Sequence, residues 1–321
     1  MRAIVNVARG RLEMREMPLP RPSRGQVRIR TCACGICATD LAMIAGWSRT
    51  PLGAVPGHEW SGVVDAVGAG VDAALVGRAC VAENVLPDGG EVGFEHPGGY
   101  AECFLTEAAN LQMLPDGFPF AAATLIEPLA VCVRGLRRLG ETPARALIFG
   151  DGPVGLLMVV LLAGGGSEVL LVGGRQGRLK LARDLGASAV FDYHTMGADL
   201  AARLVGEAGP ALPAVIEASG SPAALKAAMR LVRGGRILVV GDYGAACADF
   251  PWNTILHREI TMVGSNASAG AWPEAVRLAG EHRAMLEKFV THIVPAADFA
   301  RGIELVRDRA SGAVKVVLQW R

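Results

Sequence analysis

Three cysteines stand close together near the N-terminus, in the stretch RTCACGICATDL. Cys32 and Cys34 alternate in a strand-like pattern, whereas Cys37 follows a glycine turn. Roughly 20 residues later, the segment PGHEW places His58 beside Glu59. A thiolate, an imidazole and a carboxylate can form an open zinc site with three protein ligands and one exchangeable position. Taken alone, the cysteine and the histidine fit a buried core better than a metal site.

A metal cluster made only of cysteines would need four soft ligands at suitable spacing, and no C-x-x-C motif follows downstream. Cys37 is therefore the one predicted ligand among the three cysteines. A further acidic candidate is Glu127, in LIEPLA, which stands where a β-rich region gives way to a helical one. It is predicted to be either a ligand or a group behind the ligands.

A glycine-rich loop follows a predicted strand and precedes a predicted helix in LIFGDGPVGLL. Gly150, Gly152 and Gly155 form G-x-G-x-x-G, with Pro153 and Val154 between them. Such glycines allow a tight turn and let backbone N–H groups approach a pyrophosphate at the helix N-terminus. An ordinary glycine turn is the alternative, but the following strand EVLLVGG supplies the expected βαβ context.

Dinucleotide-binding folds usually carry an acid at the end of the second strand, where it holds the adenosine ribose. Here Gly173 and Gly174 stand at that position, followed by Arg175 and Arg178, so no carboxylate is predicted there. Two guanidinium groups beside a residue without a side chain could bind a 2′-phosphate. The alternative is that both arginines are solvated. The predicted cofactor is therefore NADP, with NAD as the alternative.

The elements that must position these residues fall into two groups. The first ~120 residues are short alternating runs punctuated by Gly and Pro, which favour an irregular β-barrel. Apolar strands then alternate with helices, the pattern of a doubly wound parallel sheet. The tail returns to strand, helix and strand. The predicted class is α/β, with one domain over 1–121 completed by 287–321 and a nucleotide-binding domain over 122–286.

The composition restricts the function classes. The chain has 321 residues and a net charge of +1, which gives no electrostatic basis for binding nucleic acid or an anionic membrane. No signal peptide is recognised, and the longest apolar run, VGLLMVVLLAGGG, is too short to span a bilayer. Seven cysteines, an odd number without scaffold spacing, favour reduced thiols and a cytoplasmic protein.

Four motifs, CGICATD, PGHEWSGVVDAVG, LIEPLAVCVRGL and GDGPVGLL, together resemble the zinc-dependent medium-chain dehydrogenases, most closely the sorbitol and threonine dehydrogenase branch. The resemblance implies a GroES-like catalytic domain and a Rossmann domain. It implies catalytic zinc at Cys37, His58 and Glu59, with Glu127 able to approach or replace a ligand. By the same matches, Thr39 touches the reacting oxygen, and Asp40 supports the ligands from behind. The predicted contacts in the cofactor cleft are Ser219, Gly220, Gly241 and Ser265.

One departure from the family is plain. Most members carry a lobe with four closely spaced cysteines that hold a structural zinc, whereas the equivalent region here ends in the single Cys103. One catalytic zinc and no structural zinc are therefore predicted. His96, in this shortened region, is predicted to be a surface residue. A homodimer or homotetramer is predicted, although any contact that depends on the lobe is in doubt.

The resemblance implies hydride transfer between a secondary alcohol and a nicotinamide cofactor, with zinc polarising the alcohol oxygen and Thr39 relaying the proton. Polyols, sugar alcohols and amino alcohols all fit, and the substrate pocket is predicted from scattered loop residues: Met43, Trp47, Phe94 and Asn266. Two alternatives are a zinc-free quinone or enone reductase of the same fold and a non-catalytic nucleotide-binding protein.

Overall fold

The structure, a computed structural model, describes residues 1–197, 199–209, 211–247 and 249–320. Their contacts divide the chain into two compact units. Unit 1 comprises Met1–Ala130 and the chain from Ala269 onward, and unit 2 comprises Val131–Ser268. The sequence predicted a division at 121/122 and 286/287. The helical segment 272–287 lies in unit 1, because its helices contact a strand and a helix of that unit.

The strands, numbered in chain order, are β1 (Arg2–Ala8), β2 (Arg11–Glu16), β3 (Gln26–Ile36), β4 (Glu59–Val67), β5 (Ala79–Ala82), β6 (Cys103–Glu107), β7 (Leu111–Met113), β8 (Arg145–Phe149), β9 (Glu168–Gly173), β10 (Ala189–Asp192), β11 (Leu212–Glu217), β12 (Val232–Val239), β13 (Thr261–Gly264), β14 (Val290–Pro295) and β15 (Lys315–Gln319). The α-helices are α1 (Ala38–Ile44), α2 (Phe120–Ala123), α3 (Ile126–Leu139), α4 (Pro153–Gly164), α5 (Gln176–Asp184), α6 (Leu200–Ala208), α7 (Pro222–Leu231), α8 (Asn253–Arg258), α9 (Trp272–Glu281), α10 (Arg283–Glu287) and α11 (Phe299–Arg307). Short 3₁₀ helices span Ala73–Leu75, Ala108–Asn110 and Ala296–Asp298.

Unit 1 is built on a seven-stranded sheet in the order β14-β15-β3-β4-β5-β7, with β6 also paired to β3. The long strand β3 is antiparallel to β4, β6 and β15. Because β15 comes from the end of the chain, the sheet joins the first and last parts of the sequence. The core under it is closed by large side chains, among them Trp60 and Phe104, whose rings meet edge to face. This sheet positions the candidate metal ligands.

Unit 2 contains a six-stranded sheet in the order β10-β9-β8-β11-β12-β13, and every neighbouring pair is parallel. Strands β8 and β9 are buried along nearly their whole length, as continuous apolar runs in a covered parallel sheet should be. The strand order is that of a doubly wound Rossmann sheet, whose ligands bind beyond the carboxyl ends of the strands. The α/β class predicted from the sequence is confirmed.

The apolar run that begins at Val154 forms α4, a helix of 12 residues inside unit 2. Across the described ranges, the structure contains no helix with both the length and the apolar character needed to cross a membrane.

Candidate functional site

Cys37, His58 and Glu59 lie together in unit 1. Cys37 directly follows β3 and caps the N-terminus of α1. His58 immediately precedes β4, and Glu59 is the first residue of that strand. The antiparallel register pairs Gly35 with Glu59, which brings the two chain segments side by side. One ligand atom from each residue, the Cys37 sulfur included, lies within 4.8 Å of the others. A thiolate, an imidazole and a carboxylate at this spacing fit a cation of the zinc type.

Asp40 orients this cluster from behind. Its buried carboxylate accepts a hydrogen bond from the backbone N–H of Cys37 at 2.8 Å and one from the Tyr100 hydroxyl at 3.3 Å. Its Oδ1 lies 3.4 Å from His58 Nδ1, and within the described residues neither of these two buried atoms has a hydrogen-bond partner. Nδ1 therefore points towards the carboxylate, and Nε2 is left for a metal. In metal sites, a carboxylate behind a histidine ligand commonly fixes the ring in this orientation.

Cys32 and Cys34 remain outside the cluster. Cys34 is fully buried and Cys32 is half-buried, and burial raises the pKa of both thiols. Metal ligation requires the thiolate, so two thiols held in the neutral form suit packing rather than ligation.

Thr39 stands in the first turn of α1, half-buried, with its Oγ1 3.6 Å from the Cys37 sulfur. A hydroxyl this close to the cluster can donate a hydrogen bond to, or accept a proton from, an oxygen atom held there.

Glu127 is half-buried at the start of α3 and is not one of the three residues of the cluster. Burial raises the pKa of Glu127 to about 7, with Glu59 adding to the rise and His58 opposing it. Its carboxyl group can therefore change protonation near neutral pH.

Lys315 is a site residue that the sequence reasoning missed. It opens β15, and its Nζ donates to both carboxylate oxygens of Glu59, at 2.7 Å to Oε1. Both side chains are 2% exposed. Burial acts to lower the pKa of Lys315, but the Glu59 carboxylate, together with Cys37 and Glu127, holds that pKa above its ordinary value. A lone lysine inside the apolar run AVKVVL was the available signal, since a buried lysine needs a partner.

Replacing Lys315 with Met should lower the free energy of unfolding of the metal-free protein by about 3 kcal/mol, because it leaves the Glu59 carboxylate buried without its counter-charge. Urea unfolding in the presence of a chelator measures this loss. The matched control is Lys288→Met, which removes an exposed lysine from the same unit. Equal stability of the two variants would contradict the assignment of the buried pair.

Two aromatic side chains, Phe94 and Trp47, pack on one side of His58. The Phe94 ring lies 4.8 Å from the imidazole between centroids, and Trp47 meets Phe94 edge-on at 6.3 Å. The guanidinium of Arg49 stacks over Phe94 at 4.3 Å. Met43, predicted to line the substrate pocket, is instead fully buried, because it belongs to the inner side of α1.

The Arg49 guanidinium is already paired. It donates to Glu95 at 2.6 Å and to Glu91 at 2.8 Å, so its charge is neutralised by two carboxylates.

Asn266, which was predicted to line the substrate pocket, is exposed in unit 2. His96 is partly exposed, and its Nε2 lies 2.9 Å from Asp88, in keeping with a surface residue.

The glycine-rich loop of unit 2 joins β8 to α4, as the sequence predicts. Gly150 has a φ of +116°, and a side chain at Gly155 would collide with the Gly150 carbonyl oxygen. Gly152 caps α4, whose first residues are Pro153 and Val154. A Cβ added at Gly152 would meet no atom within 4 Å, so the space above the helix N-terminus is open to a ligand. The loop fits the pyrophosphate of a dinucleotide.

The prediction that no carboxylate stands at the end of β9 is wrong. Asp151, in the middle of the glycine loop, reaches across to this position and accepts hydrogen bonds from the backbone N–H groups of Gly174 (2.9 Å) and Arg175 (2.8 Å). Its other oxygen accepts from the Arg175 guanidinium at 2.8 Å, and Arg178 Nη1 lies 3.9 Å from it. The space beside Gly173, expected to be free, is filled by the Asp151 side chain. The loop sequence GDG carried the signal, since an acid in that loop lies next to the second strand.

Burial lowers the pKa of Arg178 to about 10, with the neighbouring Arg175 adding to the decrease and Asp151 opposing it. Arg178 therefore stays charged at neutral pH. Arg175 itself is not merely solvated, because Asp151 holds it.

The remaining predicted cofactor residues follow three strands of unit 2: Ser219 after β11, Gly241 after β12 and Ser265 after β13. The first two are linked by Glu217, a fully buried carboxylate that accepts from the backbone N–H of Ser219 at 2.8 Å and from the Tyr243 hydroxyl at 2.6 Å. The backbone carbonyl of Glu217 accepts from the N–H of Gly241 at 2.9 Å. All three therefore stand at the carboxyl edge of the sheet, where a dinucleotide binds in this fold.

Two family models match the chain. One, described as alcohol dehydrogenase GroES-like domain, matches residues 23–116, and the other, described as zinc-binding dehydrogenase, matches residues 153–281. D-arabitol-phosphate dehydrogenase of Enterococcus avium is 28% identical, over 95% of this chain and 92% of its own. Sorbitol dehydrogenase of Halalkalibacterium halodurans is 26% identical, over 99% of each. A crystal structure of the alcohol dehydrogenase rspB of E. coli CFT073 with NADH is 25% identical with a TM-score of 0.91, covering 100% of this chain and 99% of that one.

Proposed function

Since the chain belongs to the zinc-type medium-chain dehydrogenase/reductase family, we propose that it transfers a hydride between a secondary alcohol of the polyol class and a nicotinamide cofactor, with one zinc ion per chain. The observation that carries the proposal is the cluster of Cys37, His58 and Glu59, whose ligand atoms lie within 4.8 Å of one another. Of the relatives named above, one is by name a sorbitol dehydrogenase and the other a D-arabitol-phosphate dehydrogenase, which supports the polyol class.

The residues of the cluster fit zinc. They supply sulfur, nitrogen and oxygen ligands and leave a fourth position for an exchangeable group. The unpartnered Oδ1 of Asp40 beside His58 Nδ1 supports a metal on the opposite ring nitrogen, since ligation there fixes the tautomer. When bound, zinc supplies Lewis-acid chemistry, which polarises an alcohol or carbonyl oxygen and eases loss of the alcohol proton. Only one group of this composition lies among the described residues, which supports one ion per chain.

The protein's own side chains orient and deprotonate the substrate. We assign Thr39 Oγ1 as a proton relay, because it is the hydroxyl beside Cys37. It would accept the alcohol proton while releasing its own hydroxyl proton to solvent, which its partial exposure allows. Lys315 neutralises Glu59, which lowers the total negative charge of the ligand set. Glu127, with its pKa raised to about 7 by burial, is an acceptor for a proton near the cluster at neutral pH.

The charge beside His58 favours an unphosphorylated substrate. The cation beside the Phe94 ring is Arg49, and its guanidinium is bound by Glu91 and Glu95, so a substrate phosphate would have to displace carboxylates to reach it. The other cation near the cluster, Lys315, is buried against Glu59. Phe94 and Trp47 offer apolar surface instead. We therefore assign neutral polyols or alcohols as substrates rather than their phosphates.

NADP is the proposed cofactor, with NAD as a slower alternative. Arg178 stays charged beside the end of β9, and a charge-assisted hydrogen bond to a 2′-phosphate contributes ~1.5 kcal/mol or more, about tenfold in binding.

The test is a panel of secondary alcohols, polyols and polyol phosphates, each assayed with NAD and with NADP. We expect turnover of neutral polyols, about tenfold higher kcat/KM with NADP, and loss of turnover after chelation with recovery on adding zinc. Turnover confined to quinones or enones and insensitive to chelation would support the zinc-free reductase. Cofactor binding without turnover would support the non-catalytic alternative.

We also propose a cytoplasmic homodimer or homotetramer. None of the seven cysteines, all of which the structure describes, forms a disulfide, which is the state expected in a reducing compartment. Strand β13, at one edge of the parallel sheet, exposes Met262 and carries unpaired backbone groups along that edge, which supports association with a second copy.

A further inference from the structure

The side chain of Asp151 connects two elements that form the adenosine end of a Rossmann cofactor site. It belongs to the loop between β8 and α4, and its carboxylate binds the turn between β9 and α5 through the N–H groups of Gly174 and Arg175. It is 6% exposed. A carboxylate so buried needs charged or N–H partners, and here it has two N–H groups and a guanidinium.

Asp151 also occupies the place of the acid that this fold usually carries at the end of the second strand. A Cβ added at Gly173 would lie 2.7 Å from Asp151 Cβ and 2.9 Å from its Oδ2. The same volume therefore cannot hold both a side chain at position 173 and the carboxylate of Asp151. The negative charge is present at this position, but it arrives from the neighbouring loop.

The partner of this charge is one of the two arginines predicted to bind a 2′-phosphate. Arg175 Nη1 lies 2.8 Å from Asp151 Oδ1, and the arginine side chain is 35% exposed. Its guanidinium can thus reach both the buried carboxylate and a ligand in solution. A 2′-phosphate and Asp151 would compete for the same donors, and each would repel the other.

We infer that Asp151 sets the cofactor preference through Arg175, by holding and neutralising that guanidinium, so that the site discriminates less between NADP and NAD than two unpaired arginines would. This inference rests on the nicotinamide-cofactor part of the proposed function. Asp151 is a positioning residue, because it acts on the ligand through the arginine.

Two fragments of the cofactors test the subsite alone: adenosine 2′,5′-bisphosphate and adenosine 5′-monophosphate. Calorimetry gives the dissociation constant of each for the full-length protein. In Asp151→Asn we expect the bisphosphate to bind about tenfold tighter relative to the monophosphate than in wild type, the effect of one partly screened charge at short range. Asp151→Ser, which also removes the charge, should give the same direction and serves if the asparagine variant does not fold.

Two further variants test whether Asp151 acts through Arg175 and whether the effect is specific to its position. In an Arg175→Leu background, Asp151→Asn should no longer change the ratio of the two dissociation constants, because the residue through which it acts is gone. Glu168→Gln is the charge-matched control. It removes one negative charge from unit 2 at the opposite end of β9, where Glu168 pairs with Arg145 at 3.0 Å, and should leave the ratio unchanged.

An unchanged ratio in both Asp151 variants, or equal weakening of the two fragments, would overturn the inference, since the carboxylate would then only brace the turn. So would a change of the ratio that persists without Arg175. The fragments undergo no hydride transfer, so this outcome is separate from the alcohol panel. A shifted ratio with no turnover would remove the proposed activity alone, and turnover with an unshifted ratio would remove the inference alone.

Discussion

Cys37→Ala protein should be isolated without zinc and without alcohol dehydrogenase activity. The cluster offers three ligand atoms within 4.8 Å, and losing the thiolate leaves an imidazole and a carboxylate that is already paired with Lys315. Replacing residues behind metal ligands typically costs ~10–100-fold in metal affinity, and removing a ligand itself should cost more. Elemental analysis of protein purified without chelator measures the zinc content.

The neighbouring cysteines provide matched controls for this experiment. Cys32→Ala should keep one zinc per chain and wild-type turnover. Cys34→Ala should keep its zinc as well, with a stability loss of ~1 kcal/mol because Cys34 is fully buried and its removal leaves a small cavity. Two zinc ions in the wild-type chain, none at all, or a full complement in Cys37→Ala would each refute the proposed site.

Thr39→Val should bind zinc and cofactor normally and yet lose most of its turnover. Valine has nearly the shape of threonine, so the first turn of α1 should be preserved, but the hydroxyl 3.6 Å from the Cys37 sulfur is gone. A positioned proton-transfer group typically contributes ~10²–10⁴-fold to the rate. Steady-state kinetics with a saturating polyol gives kcat, and elemental analysis confirms that zinc is retained.

Thr39→Ser is the conservative control, since it restores the hydroxyl without the methyl group, and it should recover most of the lost rate. If Thr39→Val turns over at the wild-type rate, Thr39 does not relay the proton. If the valine variant loses zinc, the hydroxyl has a role in metal binding rather than in proton transfer.

Local patterns predicted the elements of both units, because each strand and helix carries its own periodicity. The alternation of apolar strands and helices from about residue 145 matches β8 to β13 closely, since the strands of a covered parallel sheet are apolar throughout. Cys37, His58 and Glu59 could be proposed together because their residue types suit zinc. Antiparallel pairing of β3 with β4 then brings both ends of the long connection that contains α1 to one place.

The contacts that could not be predicted from the sequence depend on the pairing of strands far apart in the chain or on the exact path of a turn. Lys315 meets Glu59 across 256 positions, and no local pattern encodes which strand the final segment joins. Asp151 was missed for another reason: its position relative to Gly173 depends on how closely the glycine loop approaches the end of β9. Met43 was predicted among scattered loop residues of the substrate pocket, but it lies in α1, whose packing turns it inward.

The insertion of unit 2 within unit 1 has a consequence for biosynthesis. A ribosome delivers residues 37–59 early, then the whole of 131–268, and only afterwards the strand that carries Lys315. Until that strand emerges, β3 lacks one antiparallel neighbour and Glu59 lacks its ammonium partner. Glu59 therefore stays without its counter-charge until nearly the whole chain has been made, and the buried ion pair can form only when β15 joins the sheet.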